Sequence, residues 1–235
     1  MRESSRYVTS QFSGRNRRLL YEWQQLDELL EGRLDISCNV IRRNTAGLPT
    51  AYLICYQLKS ICGVTDMEHF GEPGVKNMPV YATGYKMRID LPDCYPSVDA
   101  PPSFRFLLHD EQGQSIPHPW HPNIRYSGSF KGHVCLNSKD MGVMASIKSL
   151  ILRVEQYLKY QDYHAENIYP YPEDQNVAEW VREEAEPNGW TRFPQDRMEN
   201  VEPAQPKPVA TGTPDAPKKE TPKETPTKTK RILNI

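Results

Sequence analysis

Two short runs in this 235-residue chain hold side chains able to do chemistry. The first, His118-Pro119-Trp120-His121-Pro122-Asn123, lies in an aperiodic stretch rich in turn formers, and polar groups on an extended loop are the usual place for a site. The second, Gly132-His133-Val134-Cys135-Leu136, ends that irregular stretch in a thiol. A cysteine on a rigid, partly exposed element can attack as its thiolate and carry an acyl group as a thioester. An amine attacking that thioester builds negative charge on the carbonyl oxygen. A side-chain amide such as Asn123 can donate to that oxygen or hold the loop that does, and losing such a donor typically costs about 10²–10³ in rate. Two other chemistries use the same residue types. A zinc site from His118, His121, His133 and Cys135 has favoured ligands, but the H-x2-H-x11-H-x-C spacing matches no known closed-site pattern. A Cys-His hydrolase pairing Cys135 with His121 or His164 lacks an identifiable third, orienting residue. Cys38, Cys55, Cys62, Cys94 and Cys135 are odd in number without CxxC spacing, so reduced thiols are expected. For Cys38, Cys55 and Cys94, on strand or turn positions, the expected role is that of a small hydrophobe.

Neighbouring elements must position these runs. Leu19, Leu20, Trp23, Leu26, Leu29 and Leu30 recur at helical spacing after Arg15, Arg17 and Arg18, with Gly32 as the cap, so an amphipathic helix is expected over 17–30. Alternation over 34–40, 52–58, 85–91 and 104–108 predicts strands in succession, and the lack of helices between them implies an antiparallel meander. The stretch 62–79, rich in Gly, Pro and charge, reads as a loop insertion. Prolines 92, 96, 101 and 102 force a turn. Ile147, Leu150, Ile151, Val154, Tyr157 and Leu158 mark a helix capped by Ser146, and Asp174 caps another that carries Val177, Trp180 and Val181. Beyond 194 the Pro/Thr/Lys/Glu-rich sequence cannot bury enough apolar area to offset its chain entropy. The expected organisation is a domain over 1–194 and a disordered tail over 195–235.

Composition narrows the function classes. Lys plus Arg total 29 against 30 Asp plus Glu, a net charge of −1 that argues against nucleic-acid binding as a main activity. No stretch approaches the ~18 apolar residues of a membrane span, and the first residues show no secretory apolar region. A cytoplasmic protein is expected.

Taken in order, helix, meander, proline-rich turn, irregular loop ending in a cysteine, then helices, the chain resembles the ubiquitin-conjugating enzymes over roughly 17–190. The run 85–106 (YKMRIDLPDCYPSVDAPPSFRF) is similar to that family's strand, its YP turn and its PP lead into the next strand. His121-Pro122-Asn123-Ile124 is similar to the HPN motif, and Gly132-His133-Val134-Cys135-Leu136 to the G-x-[IV]-C-L strand bearing the family's catalytic cysteine. The resemblance implies an α+β, UBC-like fold: N-terminal helix, four-stranded antiparallel meander, active-site loop and C-terminal helices. It implies that Cys135 receives a ubiquitin-like modifier protein from an activating enzyme and passes it to an amine, such as lysine, of a target protein. Asn123 would then be catalytic and His121 and Pro122 supporting, with no metal. No cofactor is expected on this chain, which has no Gly-rich phosphate loop. Arg15, Arg17 and Arg18, ahead of an apolar face of Leu20, Trp23 and Leu30, become the docking site for the activating enzyme. Reversing Arg17 and Arg18 to Glu is then expected to slow charging of Cys135 and leave the melting temperature nearly unchanged.

The sequence departs from the family pattern around this site. Residues 126–131 lengthen the gap between Asn123 and Cys135, and the Trp that commonly follows the cysteine is absent from 141–144. Asn137 and Tyr171 stand where the family often has acids that orient and deprotonate the lysine. Glu173 and Asp174 are the nearest substitutes, or else a solvated helix N-terminus. Discharge to an amine is therefore expected to have an alkaline pH profile, and Asn123→Ala to slow discharge about 10²-fold with charging retained. These departures, the insertion and the NVAEW ending resemble the standalone conjugating enzymes of bacterial ubiquitin-like operons, with a role in antiphage defence. The alternative is a catalytically inactive ubiquitin-conjugating variant or RWD-type binding module, which usually lacks the cysteine or the HPN motif.

Overall fold

The computed structural model describes residues 3–97, 101–136, 145–168 and 172–191. Asn137, Tyr171, the 141–144 stretch and the 195–235 tail lie outside the described residues. Helix α1 (Gly14–Leu30) includes the arginine-rich lead-in as its first turn. Gly32 follows it at φ +75°, a left-handed conformation that only glycine adopts without steric cost.

The strands are β1 (Ile36–Arg43), β2 (Pro49–Tyr56), β3 (Ser60–Val64), β4 (Pro79–Ala82), β5 (Tyr85–Asp90) and β6 (Ser103–Phe106). Four of them form the expected antiparallel meander, in the order β1-β2-β5-β6. Register sets Tyr52 opposite Ile89 and Ile89 opposite Phe104, so Tyr52, Ile54, Tyr85, Met87, Ile89, Phe104 and Phe106 line one buried face. Leu34, assigned to a strand on alternation, is 96% exposed in the turn before β1. The stretch read as a loop insertion is instead framed by a two-stranded ribbon, in which β3 and β4 pair with Ser60 opposite Ala82 and Val64 opposite Pro79. Gly63, beside a register shift, and Pro79 interrupt these short strands, so they leave no alternation to read.

Helix α2 (Ile147–Leu158) lays its apolar stripe on the same core as α1 and the sheet, and Ser146 Oγ caps it by accepting from the Ser149 N–H at 3.2 Å. Helix α3 (Gln175–Trp180) runs on into a π turn, Val181–Ala185. Its Val177, Ala178 and Trp180 join a second apolar cluster with Ile61, Val64, Trp120 and Tyr160, edged by Phe70 and Tyr126. Among the described residues no helix is long and apolar enough to cross a membrane.

Helix α1 also buries Glu22 completely. Its Oε1 accepts from Arg18 Nε at 2.6 Å and from the Tyr95 hydroxyl at 2.7 Å, and its Oε2 accepts from the N–H of Ile147, the first residue of α2, at 2.7 Å. A buried carboxylate is tolerated only when it is paired and hydrogen-bonded in this way. Arg18 also donates to the Ala145 carbonyl and lies over the Tyr21 and Tyr95 rings. These contacts correct the reading of the α1 arginines. Arg15 donates to the Pro92 carbonyl and Arg18 is the counter-ion of Glu22, which leaves Arg17 as the exposed member of the three. Leu20 and Trp23, of the apolar face that follows these arginines, are core residues because the apolar stripe of α1 packs into the main core. Reversing Arg18 would set a second carboxylate against Glu22, so it cannot leave stability unchanged.

Candidate active site

The segment carrying Cys135 lies between the two clusters: Ile124, Val134 and Leu136 pack into the first, Trp120 and Tyr126 with the second. The chain doubles back here. Ile124 bridges Val134, the Arg125 N–H donates to the His133 carbonyl at 2.9 Å, and the Gly132 N–H donates to the Arg125 carbonyl at 2.8 Å. The returning arm docks on β6, where the Val134 N–H donates to the Phe104 carbonyl at 3.1 Å. Gly132 makes this approach feasible: at φ +89°, a Cβ there would stand 2.3 Å from the Phe106 carbonyl oxygen. Along the arm Val134 and Leu136 face inward, so His133 and Cys135 share the opposite, partly exposed face.

Cys135 is fixed by both of its backbone groups. Its N–H donates to the Asn123 carbonyl at 2.8 Å, and its carbonyl accepts from the Tyr157 hydroxyl at 3.3 Å. Burial pushes the Tyr157 hydroxyl up to about 12, which keeps it a neutral donor at physiological pH. The same ring stacks on His121, with centroids 4.8 Å apart and planes at 22°. One residue of α2 therefore ties the loop to the backbone of Cys135. Periodicity marked Tyr157 only as an apolar helix position, and nothing local signals where its hydroxyl goes. Burial also pushes the Cys38 thiol up to about 12 and raises that of Cys62, so neither offers a thiolate at neutral pH.

His121 is 1% exposed. Its Nδ1 accepts from the Asn123 N–H at 3.1 Å and its Nε2 donates to the Asp162 carbonyl at 3.2 Å, a pattern that assigns the neutral Nε2–H tautomer. Burial pushes its pKa down to about 3. With both ring nitrogens engaged, His121 can be neither a base for Cys135 nor a zinc ligand. No group of three or more His, Cys, Asp or Glu is placed to hold a metal among the described residues. His118 is a packing residue, also buried, edge-on to Tyr126 at 5.0 Å, and neither ring nitrogen makes a regular hydrogen bond. Burial pushes it down to about 4, Lys131 adds to that, and the Pro119 backbone offsets it in part.

Asn123 is fully buried as well. Its Oδ1 accepts from the His164 N–H at 2.9 Å, which sets the amide orientation, and its Nδ2 then donates to His164 Nδ1 at 3.1 Å. The amide expected to face a reacting carbonyl is turned inward, onto the segment that follows α2. In this arrangement Asn123 braces the loop on which the Cys135 N–H hangs, and His164 has its Nδ1 committed to that brace. Pro122 contributes its carbonyl, which accepts from the Asp174 N–H at 3.0 Å.

The two candidate acids separate. Asp174 is buried, with Oδ1 capping the Val177 N–H at 3.3 Å and Oδ2 accepting from the Tyr126 N–H at 3.0 Å, so both oxygens are structural. Glu173 reaches toward the face that bears Cys135: its Oε1 lies 3.3 Å from His133 Nδ1 and 3.1 Å from Arg125 Nε. Burial works to raise its pKa, but His133 and Arg125 outweigh that and hold it below the usual carboxylate range. Glu173 is therefore anionic at neutral pH.

No protein-family model matches the chain, and no curated protein matches it. Among solved structures it is similar to a putative ubiquitin conjugating enzyme from Plasmodium yoelii, at 19% identity over 78% of this chain and 100% of that one, with a TM-score of 0.44. It is similar to a ubiquitin conjugating enzyme E2 from Agrocybe aegerita, at 15% identity over 73% and 96% of the two chains and a TM-score of 0.40. It is also similar to a Plasmodium vivax ubiquitin conjugating enzyme E2, at 20% identity over 59% and 98% and a TM-score of 0.34. Likenesses this distant carry no functional argument, which rests on the residues and their geometry. The order of elements, an N-terminal helix, a four-stranded antiparallel meander, an irregular site loop and C-terminal helices, is the UBC-like α+β architecture that the motifs imply.

Proposed function

We propose that this chain carries a ubiquitin-like modifier protein as a thioester on Cys135, received from an activating enzyme, and transfers it to an amine such as lysine on a target protein. The observation that carries this reading is the fixing of Cys135, with its N–H on Asn123, its carbonyl on Tyr157 and its side chain on a partly exposed face. A thiol held in this way suits acyl exchange, because the attacking and leaving groups are both sulfur and the bulky modifier must be reached from outside. His121, Pro122 and Asn123 act as the brace of the site loop, and Asn123 acts through that loop. Arg17 is the α1 residue left to meet the activating enzyme. A reducing cytoplasm is the setting that suits five free thiols, and a bacterial defence pathway is the setting that the resemblance in sequence alone suggests.

Mixing the chain with activating enzyme, modifier and Mg-ATP should give, on a non-reducing gel, an adduct that disappears on adding thiol. The adduct should be absent from Cys135→Ala; its persistence there would show that another nucleophile is used. A chain that binds the modifier but never forms the adduct would be the inactive binding module. Asn123→Ala should slow charging and discharge together and lower stability by about 1–3 kcal/mol, as expected when a buried hydrogen-bonded bridge loses one side. Selective loss of discharge, with charging and melting temperature retained, would return Asn123 to the role of oxyanion donor.

A further inference from the structure

We propose that His133, oriented by Glu173, is the catalytic base that takes the proton from the attacking amine; the inference rests on the thioester reading above. His133 and Cys135 occupy alternate positions of one extended arm and share its partly exposed face, so their Cα atoms are separated by about 6–7 Å. That spacing puts the imidazole beside the residue that would carry the thioester. Glu173 Oε1 lies 3.3 Å from His133 Nδ1, and an anionic carboxylate there draws the ring proton to Nδ1 and leaves Nε2 as the accepting nitrogen. The order carboxylate, imidazole, acyl carbon is the one that general-base acyl transfer requires. The His133 side chain is 44% exposed, so an incoming group can reach it from solvent. Among the described residues, the charged and titratable groups around it are Glu173 ahead of α3, Arg125 on the facing arm, Arg105 bridging it from β6, and Lys131 and Cys135 on its own arm. Arg125, at 3.1 Å from Glu173, keeps that carboxylate placed and ionised.

In the step assigned to this pair, the neutral acceptor amine attacks the thioester carbonyl carbon and a C–N bond forms. The amine proton passes to His133 Nε2, because the nitrogen of the tetrahedral adduct is far more acidic than a free ammonium. The C–S bond then breaks with its electron pair on Cys135 Sγ, and the imidazolium returns the proton to the thiolate or to water. Nothing is oxidised or reduced. The sequence pointed to Glu173 as a substitute acid and to His133 only as a candidate zinc ligand, because the pairing joins residues 40 positions apart.

The test is single-turnover discharge of pre-charged protein into free lysine across pH, for wild type, His133→Gln, Glu173→Gln and Glu173→Asp, with melting temperatures checked alongside. Charging reads the thioester proposal and discharge reads the base. His133→Gln should still form the thiol-sensitive adduct but release it about 10²-fold more slowly, the size typical of a lost general base. It should also lose the acidic limb of the wild-type pH profile. Glu173→Gln should slow discharge while leaving charging and the melting temperature near wild type, and Glu173→Asp should recover part of the lost discharge rate; a merely structural carboxylate would instead lower charging and stability together. Discharge of His133→Gln at the wild-type rate and with the wild-type profile would overturn the base while the thioester stands. Failure of the wild type to charge would overturn the thioester reading first, and this inference with it.

Discussion

The two apolar clusters are built on different terms. The first joins α1, the meander and α2 through side chains repeated at regular helical and strand intervals, and the buried Glu22 within it meets three donors. The second gathers rings such as Trp120, Tyr160 and Trp180 from a loop, the segment after α2 and the last helix, against Ile61 and Val64 of the β3–β4 ribbon. Around it, the Nε1 of Trp120, the Oδ1 of Asn77 and both ring nitrogens of His118 have no regular hydrogen-bond partner among the described residues, whereas on the side of the first cluster the comparable atoms are the Tyr52 hydroxyl and Arg15 Nε. Unsatisfied polar atoms of this kind lower local stability and concentrate where a fold serves a site. The Cys135 arm lies between the two clusters, so its position depends on both.

The largest effect that would break this contrast lies in the first cluster. Glu22→Ala strips Arg18, Tyr95 and the α2 N-terminus of their shared acceptor and leaves the largely buried Arg18 without this counter-ion. Breaking one side of such a pair costs about 3–5 kcal/mol, which at this size lowers the melting temperature by about 10 °C. Thermal unfolding checks it, and a loss below about 1 kcal/mol would mean that Glu22 does not join the two helices.

An intermediate effect probes the second cluster through pH. His118 titrates at about 4 in the folded chain, against about 6.5 unfolded, so between these values the unfolded state binds a proton that the native state does not. Its contribution to stability is therefore full above pH 6.5 and is lost as pH falls toward 4. His121, at about 3, acts in the same direction and over a wider range. Between pH 7 and 5 each histidine removes about 2 kcal/mol. His118→Phe, which keeps an aromatic ring beside Tyr126, should lose about 2 kcal/mol less than wild type over that interval in urea unfolding. Equal losses for the two proteins would show that His118 titrates as an exposed histidine does.

The smallest effect sharpens the reading of α1. Arg17→Glu, on the exposed face, should change stability by less than about 0.5 kcal/mol yet slow charging of Cys135, most clearly at low salt. Arg18→Glu should instead unfold the protein readily. Charging that is indifferent to Arg17→Glu at low salt would remove this residue from the docking site.

Local pattern was enough for most of the scaffold. Helices α1 and α2, the meander and the Ser146 and Asp174 caps all follow from near neighbours, since a 3.6- or 2-residue repeat and a cap three residues away depend on nothing distant. The loop holding His121 and the segment ending at Cys135 show no such repeat and stood out by their residue types and by a family resemblance. The β3–β4 ribbon was not, because a Gly and a Pro interrupt strands too short to show alternation. The roles of individual polar side chains were beyond local pattern altogether. Glu22 meets a partner 125 positions away and another at 73, Asn123 turns inward to a residue 41 away, and Tyr157 reaches back 22 positions to the Cys135 carbonyl. Of the adjacent acids Glu173 and Asp174, local pattern reads the second as a helix cap, but only the fold shows that the first faces His133. A hydrogen bond takes its meaning from both of its ends, and for these residues the second end is brought close only by the folding of the whole domain.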